Sequence, residues 1–323
     1  MSEAKKIIAV VGATGSQGGG LARAILADAD GPFALRALTR DADSPAARRL
    51  ADAGAEVVAA DLDDEASVRA AFDGAYGAFV VTNFWAPRPA EDVRRRTAAQ
   101  MEKEQAGNAA RAARAAGLRH VIWSTLEDTR GVLRTGDDQM PLLEGDYTVP
   151  HFDAKAEADR LFTAEGVPTT FLRTTFFYEA FLRGMGPVRG DDGTLAITLP
   201  MADAPIAGIA SDDIGRTALG VFRHPELVGE TVSIAGGHHT GGELAELFTA
   251  ALGEKVAYRP ASFDEYRASG AFAADEVANM FAYYVQAADT FVGDRDLAAV
   301  RALNPALQSL PEWLAQHAAE TVQ

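Results

Sequence analysis

Three glycines in a fixed place constrain this chain more than any other feature. Gly12, Gly15 and Gly18 follow directly on the apolar run Ile7–Val11 and lead into the helix-forming stretch Leu21–Leu26. Such spacing serves a tight turn, a close approach of backbone to a pyrophosphate, and close packing of helix on strand. The helix N-terminus behind it presents unpaired N–H groups and a favourable dipole for phosphate, and Thr14, Ser16 and Gln17 add side-chain donors. A glycine triplet alone is a weak signal, and its weight comes from its surroundings. Phe33–Thr39, Glu56–Ala60, Ala78–Thr82, His120–Ser124 and Thr169–Leu172 read as short apolar strands. Between them, Ser44-Pro45 opens a helix to about Ala53, and Ser67–Phe72 belongs to another. One long helix runs from Asp92 to Ala116, ending at Gly117, and Asp153–Ala164 is helical. Strands of this kind form a parallel sheet covered on both faces, so the expected fold is α/β, a doubly wound Rossmann sheet.

Past Thr175 the alternation weakens. Thr194–Leu199 and Thr231–Ile234 look like strands, while Asp212–Phe222, Gly242–Leu252, Phe263–Gly270, Asp275–Val285 and Leu310–Ala319 look helical. Residues 1–175 are therefore read as the dinucleotide-binding domain and 176–323 as a smaller α/β region, with interleaved contributions. That region is expected over the carboxyl ends of the sheet. Asp212-Asp213-Ile214-Gly215 reads as a structural helix cap. Phe176, Phe177, Phe181 and Met185 read as core more readily than as a pocket lining.

Charge and composition exclude several functions. The net charge is -16, and the one basic run, Arg94-Arg95-Arg96, sits among Glu91, Asp92, Glu102 and Glu104. A polyanion would meet repulsion, so direct nucleic-acid binding is not expected. No cysteine is present, which removes disulfides, thiolate metal sites and thiol nucleophiles. His238-His239, in a glycine-rich stretch, reads as a solvated turn, and no metal site is expected. With neither a signal peptide nor a membrane span in the sequence, the expectation is a cytoplasmic protein.

The end of the second strand selects the dinucleotide. NAD binders place a carboxylate there for the ribose 2′-hydroxyl, but this strand ends Leu38-Thr39-Arg40. An arginine suits a 2′-phosphate, so NADP(H) is favoured over NAD(H), although Asp41 and Asp43 follow closely. Asp61-Leu62 can hold the adenine amino group and cover its ring. Thr82-Asn83-Phe84 closes strand four beside the middle of the cofactor, where Trp85 and Pro87–Pro89 could cover it.

Short-chain dehydrogenases pair a serine with a tyrosine and a lysine four residues on. Here Ser124-Thr125 ends strand five, and the matching helix reads His151-Phe152-Asp153-Ala154-Lys155, with histidine in place of tyrosine. As a set, Gly12–Gly18, Asp61-Leu62, Thr82-Asn83-Phe84-Trp85, Glu104-Gln105 with Asn108, Val121–Glu127, His151–Lys155 and Leu172–Phe181 resemble the NmrA-like family. The family is an atypical branch of the extended short-chain dehydrogenases, and the likeness is greatest to its redox-sensing members. The resemblance implies NADP(H) binding, with Lys155 at the nicotinamide ribose and Tyr178, Glu179, Ala180 and Phe181 near the nicotinamide. Ala180 departs from the asparagine common there, and Asp41 and Asp43 replace basic residues. The leading expectation is an NADP(H) sensor acting through a regulatory protein partner, with weak or no dehydrogenase activity. The alternative is an NADPH-dependent reductase of a quinone, enone or similar apolar substrate, with Lys155 and His151 as catalytic residues. A sugar-nucleotide epimerase is disfavoured, since that chemistry relies on the missing tyrosine.

Overall fold

The computed structural model describes residues 4–133 and 140–322. In chain order, the first elements are β1 (Lys6–Val11), α1 (Ser16–Ala27), β2 (Phe33–Thr39), α2 (Pro45–Asp52), β3 (Glu56–Ala59), α3 (Glu65–Phe72) and β4 (Gly77–Val80). There follow α4 (Ala90–Arg95), α5 (Ala98–Ala116), β5 (His120–Thr125), α6 (Arg130–Leu133), α7 (Pro150–Ala164), β6 (Thr169–Arg173) and β7 (Phe176–Phe177). A 3-10 turn at Tyr178–Arg183 leads to β8 (Val188–Arg189), β9 (Leu195–Ile197), β10 (Ile206–Ile209), α8 (Ser211–Arg223), β11 (Thr231–Ser233) and β12 (Gly237–His239). The chain closes with α9 (Gly241–Leu252), β13 (Val256–Tyr258), α10 (Phe263–Ala268), α11 (Ala274–Gln286), α12 (Ala288–Gly293), α13 (Leu297–Leu303) and α14 (Leu310–His317).

These elements form two compact units. The first comprises Met1–Asp128, Ala154–Thr174 and Asp212–Val232; the second comprises Thr129–Asp153, Thr175–Ser211 and Ser233–Gln323. The second segment of the first unit thus begins inside α7.

The first unit is built on a seven-stranded sheet of order β11-β6-β5-β4-β1-β2-β3. Pairing is parallel from β3 through β2, β1, β4 and β5 to β6. Order reverses between β1 and β4, so the carboxyl ends of those two strands border the crevice where doubly wound sheets take their ligands. The core is made of small side chains. Ala106, Ala109, Ala110, Ala112 and Ala113 of α5 lie against Phe72, Trp123 and Phe162, letting helix and sheet approach closely. On the other side α1 crosses α8 where both carry glycine: a Cβ on Gly215 would stand 2.7 Å from the Cα of Gly20. Asp212, in the first turn of α8, pairs with Arg23 of α1.

One expected helix is two. The stretch Asp92–Ala116 breaks at Arg96, whose backbone is extended (φ -149°, ψ 152°). Thr97 then starts α5 with a capping box, its side chain accepting the Gln100 N–H while the Gln100 side chain accepts the Thr97 N–H. The break buries Arg96 among Asp63, Asp92 and Glu104, which neutralise it. Arg96 of the basic run is therefore not an exposed cation.

The second unit holds two three-stranded sheets, β12-β10-β7 and β13-β9-β8. Its core is aromatic: Phe181 packs against Phe176, Phe248 and Trp313, and Phe281 against Phe176 and Tyr284. Capping boxes at Thr240, Ser262 and Ser309 set the starts of α9, α10 and α14. His238-His239 is not a solvated turn. It lies in β12, antiparallel to β10, and both Nε2 atoms are buried. The flanking glycines admit a strand here because Gly236 and Gly237 lie close against the Tyr178 hydroxyl, where a Cβ would be 3.3 Å away. Burial lowers both imidazoles below their ordinary pKa. Among the described residues no group of three potential ligands could hold a metal ion, and no helix is long and apolar enough to cross a membrane.

His120, at the start of β5, is fully buried, and burial pushes its pKa down to about 4. Its Nε2 lies 2.9 Å from Thr170 Oγ1, which itself donates to the Leu227 carbonyl. His120 therefore donates through Nε2. Because its folded value lies below the ordinary 6.5, the unfolded chain takes the proton first as pH falls. Stability should be fully present above pH 6.5 and lost between there and about pH 4. The expected loss from this group is about 3 kcal/mol. Urea melts across that range check it: His120→Asn should flatten the acid limb, and an unchanged slope would refute the assignment.

Candidate cofactor site

The loop after β1 is shaped by its glycines. Gly12 has φ +64°, a left-handed conformation that favours glycine. A Cβ on Gly18 would lie 2.6 Å from the Val11 carbonyl oxygen and 2.7 Å from the Gly12 carbonyl carbon, so only glycine lets α1 start this close to β1. Thr14, Gly15 and Ser16 are exposed, and the α1 N-cap, Gly15, makes no side-chain capping bond. The first turn carries no acid. By contrast, α2, α3, α5 and α13 are all capped by side chains. An uncapped, acid-free helix start whose first residues are exposed fits a pyrophosphate. Gln17 turns inward, its Oε1 accepting the Ser124 hydroxyl at 2.7 Å, and so ties the loop to the end of β5.

Arg40, just past β2, is exposed, and among the described residues no carboxylate is paired with it. Asp41 and Asp43 are engaged elsewhere. Asp41 Oδ1 accepts the Asp43 N–H at 3.0 Å, and Asp43 lies 3.9 Å from Arg48 of α2. Past β3, Asp61 Oδ1 accepts the Asp63 N–H at 3.0 Å, while the Leu62 carbonyl accepts from Asn108 of α5 at 2.7 Å. Past β4, Thr82 and Phe84 are buried and Asn83 is exposed.

Beneath those strand ends lies a buried ion pair. Lys155 Nζ is 2.7 Å from Glu102 Oε1, with 9% and 0% of the two side chains exposed. Lys155 also donates to Thr82 Oγ1 at 2.7 Å and to the Thr82 carbonyl at 3.3 Å, and Thr82 Oγ1 in turn donates to Glu102. Glu102 Oε2 is buried with no hydrogen-bond partner among the described residues. The ammonium stands 5.1 Å over the Trp123 ring. One turn on, Asp159 accepts from Trp123 Nε1 at 2.9 Å and Thr125 Oγ1 at 2.6 Å. Burial pushes the Asp159 pKa up to about 6, partly offset by those two hydrogen bonds and by the charges of Arg173 and Lys155. Glu102 carries no motif; in the sequence it is one acid among several on a long helix.

The other residues singled out in the sequence, His151 and Tyr178–Phe181, fall in the second unit. His151 Nδ1 is 2.6 Å from Glu276 Oε1, and the His151 N–H donates to the same oxygen at 2.8 Å. Tyr178 and Phe181 are core residues, each 1% exposed, with Tyr178 against Trp313. Glu179 and Ala180 are half-buried, and the Glu179 carboxylate accepts the Ser211 N–H through both oxygens at 3.1 Å.

The Glu102–Lys155 pair yields a prediction about stability. Lys155→Met or Glu102→Leu alone should cost about 3–5 kcal/mol, because each strands a buried charge. The double variant should recover most of that loss. Chemical denaturation of the four proteins checks it, and additive losses would refute the pairing.

A profile of the NmrA-like family matches residues 4–313. The NmrA-like oxidoreductase himF of Aspergillus japonicus is 32% identical over 233 residues, 68% of this chain and 65% of that protein. FrzB, a similarly described oxidoreductase of Cladobotryum, is 31% identical over 300 residues, 86% of this chain and 83% of its own. Among solved structures, the transcriptional regulator NmrA in complex with NADP superposes with a TM-score of 0.73 at 20% identity, covering 97% of this chain and 95% of that one. The structural likeness speaks for the fold, and the profile and relatives speak for descent: the chain belongs to the NmrA-like family.

Proposed function

We propose that this protein is an NADP(H)-dependent reductase of small apolar acceptors with a conjugated carbonyl, such as enones or quinones. The observation that carries this reading is the set of groups found at the strand ends of the first unit. An uncapped, acid-free phosphate loop, an unopposed Arg40 and a buried, charge-compensated Lys155 sit on successive strands or on the helix behind them. The N–H groups of Ser16 and Gln17, with the Thr14 side chain, would hold the pyrophosphate, with Gly12, Gly15 and Gly18 giving the backbone its close approach. Arg40 would hold the 2′-phosphate, Asp61 and Leu62 the adenine, and Thr82, Asn83 and Phe84 the central portion. Lys155 would meet the nicotinamide ribose by exchanging its longest contact, the one to the Thr82 carbonyl. By the family resemblance, Tyr178, Glu179, Ala180 and Phe181 would belong to the nicotinamide end.

When bound, a reduced nicotinamide supplies a hydride to an electrophilic carbon of the acceptor. The chain must supply the matching proton, and His151 occupies the position where the related enzymes carry their tyrosine. The curated relatives are described as oxidoreductases, which supports turnover. The regulatory alternative is favoured by the substituted tyrosine and by the likeness to NmrA, described as a negative transcriptional regulator. It is the weaker reading because the substituted residue is itself a proton carrier.

Two measurements test this. Purified protein should oxidise NADPH in the presence of at least one member of a quinone and enone panel; tight NADPH binding without any turnover would favour the regulator. Arg40→Ala should weaken NADPH by roughly ten- to a hundredfold, the worth of a charge-assisted contact, and leave NADH nearly unchanged. Equal weakening of both in titrations would remove Arg40 from the 2′-phosphate.

A further inference from the structure

Lys155 of α7 is held inside the first unit by a saturated set of hydrogen bonds. An ammonium has three hydrogens, and three acceptors lie within reach: Glu102 Oε1 and Thr82 Oγ1, each at 2.7 Å, and the Thr82 carbonyl at 3.3 Å. The Thr82 hydroxyl has one hydrogen, which goes to Glu102, so toward Lys155 it can only accept. Glu102 from α5, Thr82 from just past β4 and Lys155 from α7 thus fix one another's directions, and all three belong to the first unit.

Charge is the second constraint. Both partners are buried, so water screens the pair only weakly. A second acid, Asp159, stands four residues along α7 and feels the charge of Lys155 together with that of Arg173. Asp159 accepts its hydrogen bonds from Trp123 and Thr125, however, and Glu102 is the carboxylate in contact with the ammonium. The pair therefore presents no net charge at the end of β4. A nicotinamide ring is neutral when reduced and cationic when oxidised. An uncompensated ammonium beside it would repel the oxidised form and leave the reduced form nearly untouched, whereas a compensated one discriminates little.

We propose that Glu102 sets the balance between oxidised and reduced dinucleotide by cancelling the charge of Lys155; this rests on the reading above that puts Lys155 at the nicotinamide ribose. Glu102 is fully buried and touches no ligand, so it is a positioning residue that acts through Lys155. Ribose hydroxyls are neutral and cannot replace its charge. When Lys155 turns one hydrogen from the Thr82 carbonyl to a ribose, its two shorter contacts, to Glu102 and to Thr82 Oγ1, remain. The cancellation then persists in the bound state.

The test measures dissociation constants of NADP⁺ and NADPH near neutral pH for wild type, Glu102→Gln, Lys155→Met and the double variant Lys155→Met with Glu102→Leu. Glutamine keeps an acceptor oxygen for Lys155 and Thr82 while removing the charge. Glu102→Gln should weaken NADP⁺ relative to NADPH by about tenfold, the order of one uncompensated unit charge at a nearby, partly screened site. That ratio corresponds to a shift of about 30 mV in the bound two-electron couple. Lys155→Met should weaken both ligands, through the lost ribose contact, and move their ratio the opposite way. The double variant, again without net charge, should bring the ratio back to that of the wild type. Because the single variants probe the charge from opposite sides, either one decides the matter if the other folds poorly. Equal weakening of both ligands in Glu102→Gln would assign Glu102 a structural role and overturn the proposal while leaving Lys155 at the ribose. If Lys155→Met changes neither affinity nor ratio, the placement of Lys155 falls and the proposal with it. A wild type that binds neither NADP⁺ nor NADPH would overturn the dinucleotide reading itself.

Discussion

A side chain on Gly18 would run into the carbonyls that end β1, so α1 can start where it does only with glycine there. That contact sets the direction of α1 and, through the Gly20–Gly215 crossing, the line along which α8 packs. The N-cap of the same helix, Gly15, is likewise a glycine and has no side chain to cap with, so the α1 N-terminus is uncapped. With β1 and β4 adjacent and parallel, the ends of β2, β3, β4 and β5 fall in sequence around the loop. The grip on a ligand is then distributed among residues far apart in the chain.

What was legible in the sequence is what local chemistry decides. The bounds of β2 coincide with the apolar run Phe33–Thr39, and Ser44-Pro45 marks the start of α2 because the serine caps and the proline follows. The break before α5 was also locally encoded, by the Thr97-x-x-Gln100 capping box inside an otherwise continuous helical pattern. The illegible parts depend on packing. Glu102 looks like any solvated helix acid until α5 lies behind β4 and turns it toward Lys155. Glu276 is 125 residues from His151, with no spacing to link them. His238 and His239 sit among glycines that locally favour a turn, and only their pairing with β10 makes them a strand.

Buried charge in the first unit is arranged to cancel. Lys155 faces Glu102, and Arg96 faces three carboxylates. In a chain of net charge -16, these basic groups are turned into the fold. Arg40 stands apart from them, an exposed cation whose two acidic neighbours are occupied with their own loop and with Arg48.

The same bookkeeping bears on the substituted tyrosine. A phenol gives up its proton more readily beside a positive charge, so a tyrosine-based site profits from a lysine left free to act on it. An imidazole needs the opposite, since its proton-bearing form is the cation and a neighbouring ammonium opposes it. In this chain the Lys155 charge is met by Glu102, and a second carboxylate, Glu276, stands on His151. Both acids are buried, at a cost in desolvation that their partners offset.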